Sequence, residues 1–413
     1  MMNKIEQLKI YYFLILSLIP FLIWGPFFPD LIVSLSSLIF LYYVIKNKEF
    51  RFFKNKPLII FFIFCIYCIF CSLLSQNILF SLKGSLFYFR IGIFACLIWY
   101  IIDKNKIFLK YFYHTLSICF LVLIFDSFFQ YIFQNNIIGL PIIGNRISSF
   151  FGDELIMGSY LSRLLPLFCA LHLIKEKKKY DNYFIFSIFL LSGLVIFLSG
   201  ERVAFFFYIL TITAMLVLIK RYQKIIILLI FLISICLGII IANNPWIKER
   251  MIDQFIVILP LEGKAKKYVI SQQHDTLFKT AFNMFKDKPI FGHGPRMYRI
   301  LSLDKKYFID ESSPQMHPHN FYFQLLAETG IIGFSFLFSF FCYVSYCFYR
   351  QIKSIFFERK KYLSDYQICL LIGILLTLWP FSPNGNFFTN WIIIVYSLPM
   401  GFYLHSIFGY NKL

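Results

Sequence analysis

Charge is scarce in this chain, and acidic charge scarcer. Charged residues make up 15% of its 413 positions, and 21 Asp and Glu stand against 40 Lys and Arg. A soluble domain carries roughly 25% charged and about 45–50% apolar residues. Here 59% of the side chains are hydrophobic and 21% aromatic, with a mean hydropathy of +0.71. A water-soluble globule is therefore excluded. Apolar runs of roughly 18 residues or more recur along the chain, the length that crosses a bilayer as a helix, so the chain reads as an all-α polytopic membrane protein.

Other absences narrow the reading. No small-residue cleavage site follows the first apolar run, and a second run follows at once, so the first is expected to be a retained helix. No internal repeat and no separate soluble domain are visible, which makes residues 1–413 one integral membrane domain. No Gly-x-Ser-x-Gly elbow and no Ser-His-Asp order appear. Gly292-His293-Gly294-Pro295 lacks the Lys-Ser/Thr ending and flanking strand of a nucleotide-binding loop. All ten cysteines fall inside apolar runs. Cys65, Cys68 and Cys71 have metal-like spacing but no nearby His, Asp or Glu, so they read as small apolar filler. His274, His293, His317 and His319 share a long polar segment without forming a metal-spaced cluster, so neither metal nor cofactor is expected. The net charge of +19 points to nucleic acid only until the charges are located: they lie between apolar runs, which is a topology signal.

Twelve spans are expected, at about 10–28, 30–45, 57–75, 84–102, 107–133, 154–174, 183–199, 204–219, 225–242, 321–349, 366–381 and 390–408. Alternate links hold twenty-three Lys and Arg, while the opposite short links hold only Lys83, Arg146 and Arg202. The positive-inside rule then puts both termini in the cytoplasm, and an even span count agrees. Residues 243–320, with twelve Lys/Arg and eight Asp/Glu, form one large outer loop. Thr276–Lys286 within it is helix-like, and turns are expected at Lys288-Pro289 and 292–295.

Polar residues on the outer side carry any chemistry. His319-Asn320 ends the loop, with Phe321–Glu328 expected as a short helix before a break at Gly330 and Gly333. Histidine suits proton transfer near neutral pH; the alternative is a pair that only caps the helix. His317 is a second candidate. Arg202, in Ser199-Gly200-Glu201-Arg202, contacts either a ligand or lipid headgroups, the latter with Glu201 as a partner. Arg296 and Arg299 follow a glycine-rich turn and have the fork geometry for phosphate; a solvated loop is the alternative. Arg146, Asp153 and Glu154 precede span six, and Arg163 lies two turns into it. Asp153 and Glu154 are alternative bases. Arg90, Asp126 and Gln130 lie within spans, where Asp126 is expected to pair with Arg90 or Arg163 and fix the packing.

Taken together, these residues resemble the O-antigen ligase superfamily, which includes the O-antigen polymerases. The resemblance rests on twelve spans with one large outer loop between spans nine and ten, and on Arg202 before span eight. It rests further on Asp287-Lys288-Pro289-Ile290-Phe291-Gly292-His293-Gly294, and on His319-Asn320 followed at set spacing by Gly330 and Gly333. Two features depart from the family pattern. The Arg202 motif reads Gly-Glu-Arg-Val, and His274-Asp275 stands where a second arginine is usual, so Arg296 or His274 is the expected substitute. The resemblance implies a metal-independent, inverting glycosyltransferase of the GT-C type at the periplasmic face of the bacterial inner membrane. Its donor would be an undecaprenyl-diphosphate-linked glycan, and its acceptor a lipid A–core sugar for a ligase or a second lipid-linked glycan for a polymerase. His319 would be the base and Arg202 the diphosphate partner. Arg146, Arg163, Arg296, Arg299, His274 and Asn320 would surround the substrates. A transporter or flippase of lipid-linked oligosaccharide is the competing class, but it would be expected to show matched repeats.

Overall fold

The computed structural model describes residues 4–175, 180–254, 271–358 and 362–410. Among the described residues the chain is helical, with two isolated bridges in the 135–146 loop and no strand. The long helices are α1 (Lys4–Trp24), α2 (Phe27–Asn47), α3 (Lys56–Leu73), α4 (Ile78–Ser85), α5 (Arg90–Lys104), α6 (Ile107–Phe133) and α7 (Met157–Ile174). They continue with α8 (Asp181–Leu198), α9 (Arg202–Leu218), α10 (Gln223–Asn243), α11 (Gln272–Asp287), α12 (Phe321–Lys353), α13 (Asp365–Leu378) and α14 (Asn390–Phe408).

Eight helical stretches are long and apolar enough to cross a membrane: Phe27–Asn47, Lys56–Leu73, Ile78–Lys104, Ile107–Phe133, Met157–Ile174, Asp181–Leu198, Lys220–Asn243 and Phe321–Glu358. Four more apolar helices are shorter. Each expected span falls on one of these twelve stretches. The helix-like part of the 243–320 segment is α11, while residues 255–270 of that segment lie outside the described residues, as do Lys177, Lys178, Lys179, Arg359, Lys360, Lys361 and Lys412 of the basic links.

Helix starts follow local chemistry. Asn55 caps α3, Asn77 caps α4, Ser271 caps α11, and Ser364 forms a reciprocal capping box with Gln367 at α13, each satisfying N–H groups that a first turn leaves open. Helices α5, α7, α13 and α14 form the centre. The apolar window of α7 is 89% buried against 17% for Lys220–Asn243, so α10 faces lipid and α7 faces protein. Gly373 of α13 faces Pro166 of α7 and Pro399 of α14, where an added Cβ would make ordinary van der Waals contact.

Two expectations are corrected. The stretch expected at 84–102 is two helices, α4 and α5, joined by turns at 86–89. Arg90 lies inside the apolar stretch Ile78–Lys104, at the first position of α5, and it is salt-bridged to Asp30 and donates to Ser34 Oγ at 2.7 Å. Asp126 pairs with neither Arg90 nor Arg163. It accepts from Ser149 Oγ at 2.5 Å, the Ile137 N–H at 2.9 Å and Asn136 Nδ2 at 3.3 Å, while Gln130 Oε1 accepts from the Ser148 and Ser149 N–H groups. The two side chains of α6 are thereby committed to shaping the 134–152 loop.

Candidate functional site

The three-residue corner between α8 and α9, Ser199-Gly200-Glu201, draws three other parts of the chain to one end of the bundle. Gly200 turns it in the left-handed region (φ 67), where a Cβ would meet Arg250 Nε at 2.8 Å, so only glycine fits there without displacement. Arg250, near the start of the 243–320 segment, donates to the Gly200 carbonyl at 2.8 Å. Arg146, from the 134–156 loop, donates to the carbonyls of Ser199 at 3.0 Å and Leu155 at 3.2 Å. Glu201 accepts from the Gly158 N–H at 2.6 Å, the Ser159 N–H at 2.9 Å and Ser159 Oγ at 2.7 Å. It thus caps α7, whose own N-cap Ile156 offers no side-chain acceptor. Burial pushes the Glu201 carboxyl above its ordinary value, against the pull of Ser159, Gly158 and Arg146.

Arg202 follows at the first position of α9. A cation there opposes the helix dipole, at a cost of about 0.3–1 kcal/mol. Glu201 is committed to α7, and Arg202 makes no hydrogen bond or ion pair among the described residues. Its charge is felt by Arg250, which burial, Arg146 and Arg202 hold below its ordinary value against the pull of Glu201, and by His274. Three arginines around one carboxylate leave a positive excess in a partly dry corner, where a doubly charged anion is favoured.

Three histidines meet beside this corner. His274 lies in the first turn of α11, its Nδ1 2.7 Å from Ser271 Oγ. The ring centres of His274 and His319 are 5.9 Å apart, and those of His317 and His319 are 4.2 Å apart. Burial lowers all three. His274 falls to about 4, with His319 and Arg202 adding to the effect. His317 falls to about 3, with His319 adding and the Asn384 backbone opposing. His319 is lowered by burial. The imidazoles are therefore neutral near pH 7 and able to accept a proton.

His319 adopts a left-handed backbone (φ 54), and its carbonyl accepts from the Asn384 N–H at 2.7 Å. Asn320 caps α12, accepting from Tyr322 N–H at 2.9 Å and Phe323 N–H at 3.2 Å, and its amide donates to the Pro380 carbonyl at 2.8 Å. Its polar atoms thus serve the fold. Gln324 reaches the same 380–387 link, donating to Asn386 Oδ1 at 3.1 Å and accepting from the Phe387 N–H at 2.9 Å.

Other expected site residues lie apart. Arg296 packs its stem on Gly84 and its guanidinium over Phe80, 5.0 Å from the ring centre. Arg299, Asp153 and Glu154 are exposed, and none is joined by a hydrogen bond or ion pair to the arginine corner among the described residues. Arg163 is 4% exposed, with its guanidinium over the rings of Phe207 and Tyr396 at 4.5 and 4.3 Å. Sequence reasoning missed Arg250 and Asn384. Arg250 was one of twelve basic residues in a single long loop, and Asn384 lies in the short link between the last two expected spans.

Residues 187–338 match the family model described as O-antigen ligase. The matched stretch contains Arg202, Arg250, His274, His317 and His319, while Arg146, Arg163 and Asn384 lie outside it. No curated protein matches the chain. Over residues 187–338 the chain is therefore similar to the family described as O-antigen ligase, and its apolar helices are those of a multi-pass membrane protein.

Proposed function

We propose that the chain is a metal-independent, inverting glycosyltransferase that moves a glycan from undecaprenyl diphosphate to a sugar of lipid A–core. In this reading it spans the inner membrane twelve times, keeps both termini in the cytoplasm and works at the periplasmic face. His319 accepts the proton of the acceptor hydroxyl as its oxygen bonds to the anomeric carbon. The bond from that carbon to the diphosphate oxygen breaks with inversion, and the leaving diphosphate keeps the electron pair. Arg202, aided by Arg250 and Arg146, meets the charge that grows on it, the electrostatic role in which one donor typically contributes about 10²–10³ in rate. His274 and His317 stay neutral beside the base.

The observation that carries this reading is the guanidinium of Arg202, which has no hydrogen-bond or ion-pair partner among the described residues and whose charge is felt by His274, itself in ring contact with His319. The ligase reading is preferred to the polymerase reading on the His319-Asn320, Gly330 and Gly333 spacing. Purified protein in lipid vesicles is given carrier-linked glycan with lipid A–core or with a second carrier-linked unit. Glycan joined to lipid A–core supports the ligase, and chain extension on the carrier supports the polymerase. His319→Ala is expected to lose about 10²–10⁴ of the rate. Wild-type transfer by that variant removes His319 as base, and loss of transfer in EDTA removes metal independence.

A further inference from the structure

We propose that Arg163 and Asn384 form a positioning pair that holds His319 in register with the arginine corner. This rests on the functional reading above and adds residues that touch neither substrate.

The two halves of the site come from distant parts of the chain. Arg202 opens α9, and His319 ends a loop that begins after α10. A left-handed backbone at a residue with a Cβ persists only where its surroundings hold it, and at His319 the hold is the Asn384 N–H on its carbonyl, at 2.7 Å. Asn384 is 5% exposed. Its Oδ1 accepts from Arg163 Nη2 at 3.1 Å, and its Nδ2 donates to the Ser382 carbonyl at 3.4 Å. One residue of the 380–387 link thus holds the carbonyl of His319 and is itself held by Arg163.

Arg163 is suited to act as the fixed end. The guanidinium carbon lies 4.5 Å from the ring centre of Phe207 and 4.3 Å from that of Tyr396, so it packs against α9 and α14 while belonging to α7. Phe207 lies about a turn and a half along the helix that Arg202 opens, and α7 is the helix that Glu201 caps. The scaffold that places Arg202 therefore also places Arg163, and through Asn384 it places His319. Nε and Nη1 of Arg163 have no hydrogen-bond partner among the described residues. Burying such a group is costly, and a positioning role gives it a return. A misplacement of about 1 Å can cost about 10²-fold in rate without altering any reacting group.

The test uses the full chain in vesicles, with carrier-linked glycan and whichever acceptor the wild type uses. Asn384→Ala and Arg163→Met are each expected to lower kcat about 10–100-fold per folded molecule while donor KM changes less than about threefold. Asn384→Asp, which keeps the acceptor for Arg163, is expected to retain most of the rate. The double variant Arg163→Met/Asn384→Ala is expected to be no worse than the weaker single variant. An independent readout is the pH dependence of His319 modification by diethyl pyrocarbonate, whose midpoint should move toward about 6.5 in Asn384→Ala as the ring meets water. A rise in donor KM with kcat unchanged makes Arg163 a substrate ligand and overturns the proposal. So do additive losses in the double variant, or losses that match the decrease in folded protein. Absence of transfer by the wild type on either acceptor overturns the functional reading instead, whereas normal transfer by both single variants overturns only this pair.

Discussion

Two glycine corners of this molecule each lead into an arginine, and they use it in opposite ways. At 199–202, Gly200 turns the chain and the neighbouring carbonyls and Glu201 take Arg146, Arg250 and the start of α7, leaving Arg202 without a hydrogen-bond or ion-pair partner among the described residues. At 292–296, Gly292, Gly294 and Arg296 itself are left-handed (φ 66, 104 and 65), and the whole corner is built into α12. His293 N–H donates to the Ala327 carbonyl at 3.0 Å, Gly294 N–H to the Glu328 carbonyl at 2.8 Å, and Tyr298 N–H to Glu328 Oε1 at 3.0 Å. Tyr67 Oη adds a bond to the Thr329 carbonyl at 2.7 Å, and Ile331 N–H donates to the Pro289 carbonyl at 2.8 Å. The second corner is a latch that satisfies the backbone around the Gly330 break (φ 65, ψ −166), as buried backbone must be. The composition of a turn does not reveal its role; what matters is which neighbours consume its polar groups.

The sharpest way to break this contrast is to remove each arginine in turn. Arg202→Ala is expected to lower reconstituted glycan transfer by about 10²–10³-fold, and Arg296→Ala by less than about threefold, with a lower unfolding temperature from lost packing. Equal losses of transfer would erase the distinction. Next come the glycines. Gly330→Ala sets a Cβ against the Ile290 carbonyl in a left-handed backbone, so it should destabilise the protein by at least about 1–3 kcal/mol, read as a lower thermal midpoint in detergent. Gly200→Ala should cost less stability, because Arg250 can move, but more transfer.

A smaller effect is expected from pH. Unfolded histidine titrates near about 6.5, while folded His274 and His317 resist protonation until about 4 and about 3. Below pH 6.5 the unfolded chain therefore binds more protons. The contribution of these groups is fully present above that value and is lost as pH falls toward 4 and then 3. Unfolding midpoints measured across this range should decline in the wild type and decline less in His317→Asn. The smallest change expected is Ser159→Ala, which removes one hydroxyl from Glu201 and should cost about 1 kcal/mol in unfolding measurements.

The helices were legible because each apolar stretch must satisfy its own backbone groups in lipid, and a helix does so using only neighbours in sequence. The break at 86–89 was hidden, since Phe87, Tyr88 and Phe89 are apolar and carry no proline or glycine. Asn320 as a cap and Gly330 as a break could also be read locally. Asp126 could not: a carboxylate inside a span suggests a buried ion pair, but here the folded-back 134–152 loop supplied hydroxyl, amide and backbone donors within about one residue length. Arg250 and Asn384 were illegible for a related reason. Their partners lie 50 and 65 positions away at Gly200 and His319, and no local pattern encodes such pairings.

The amino-acid sequence by itself therefore determined the membrane class, the apolar helical stretches and the few polar residues available for chemistry. It did so because hydrocarbon demands internally bonded helices and penalises stray charge. Only the tertiary structure decided that Arg250 rather than Arg296 joins Arg202 and that three histidines gather beside them. It also decided that Asn384 holds the middle one. Those choices depend on which loops close over the same helix ends, and that is settled by long-range hydrogen bonds and packing.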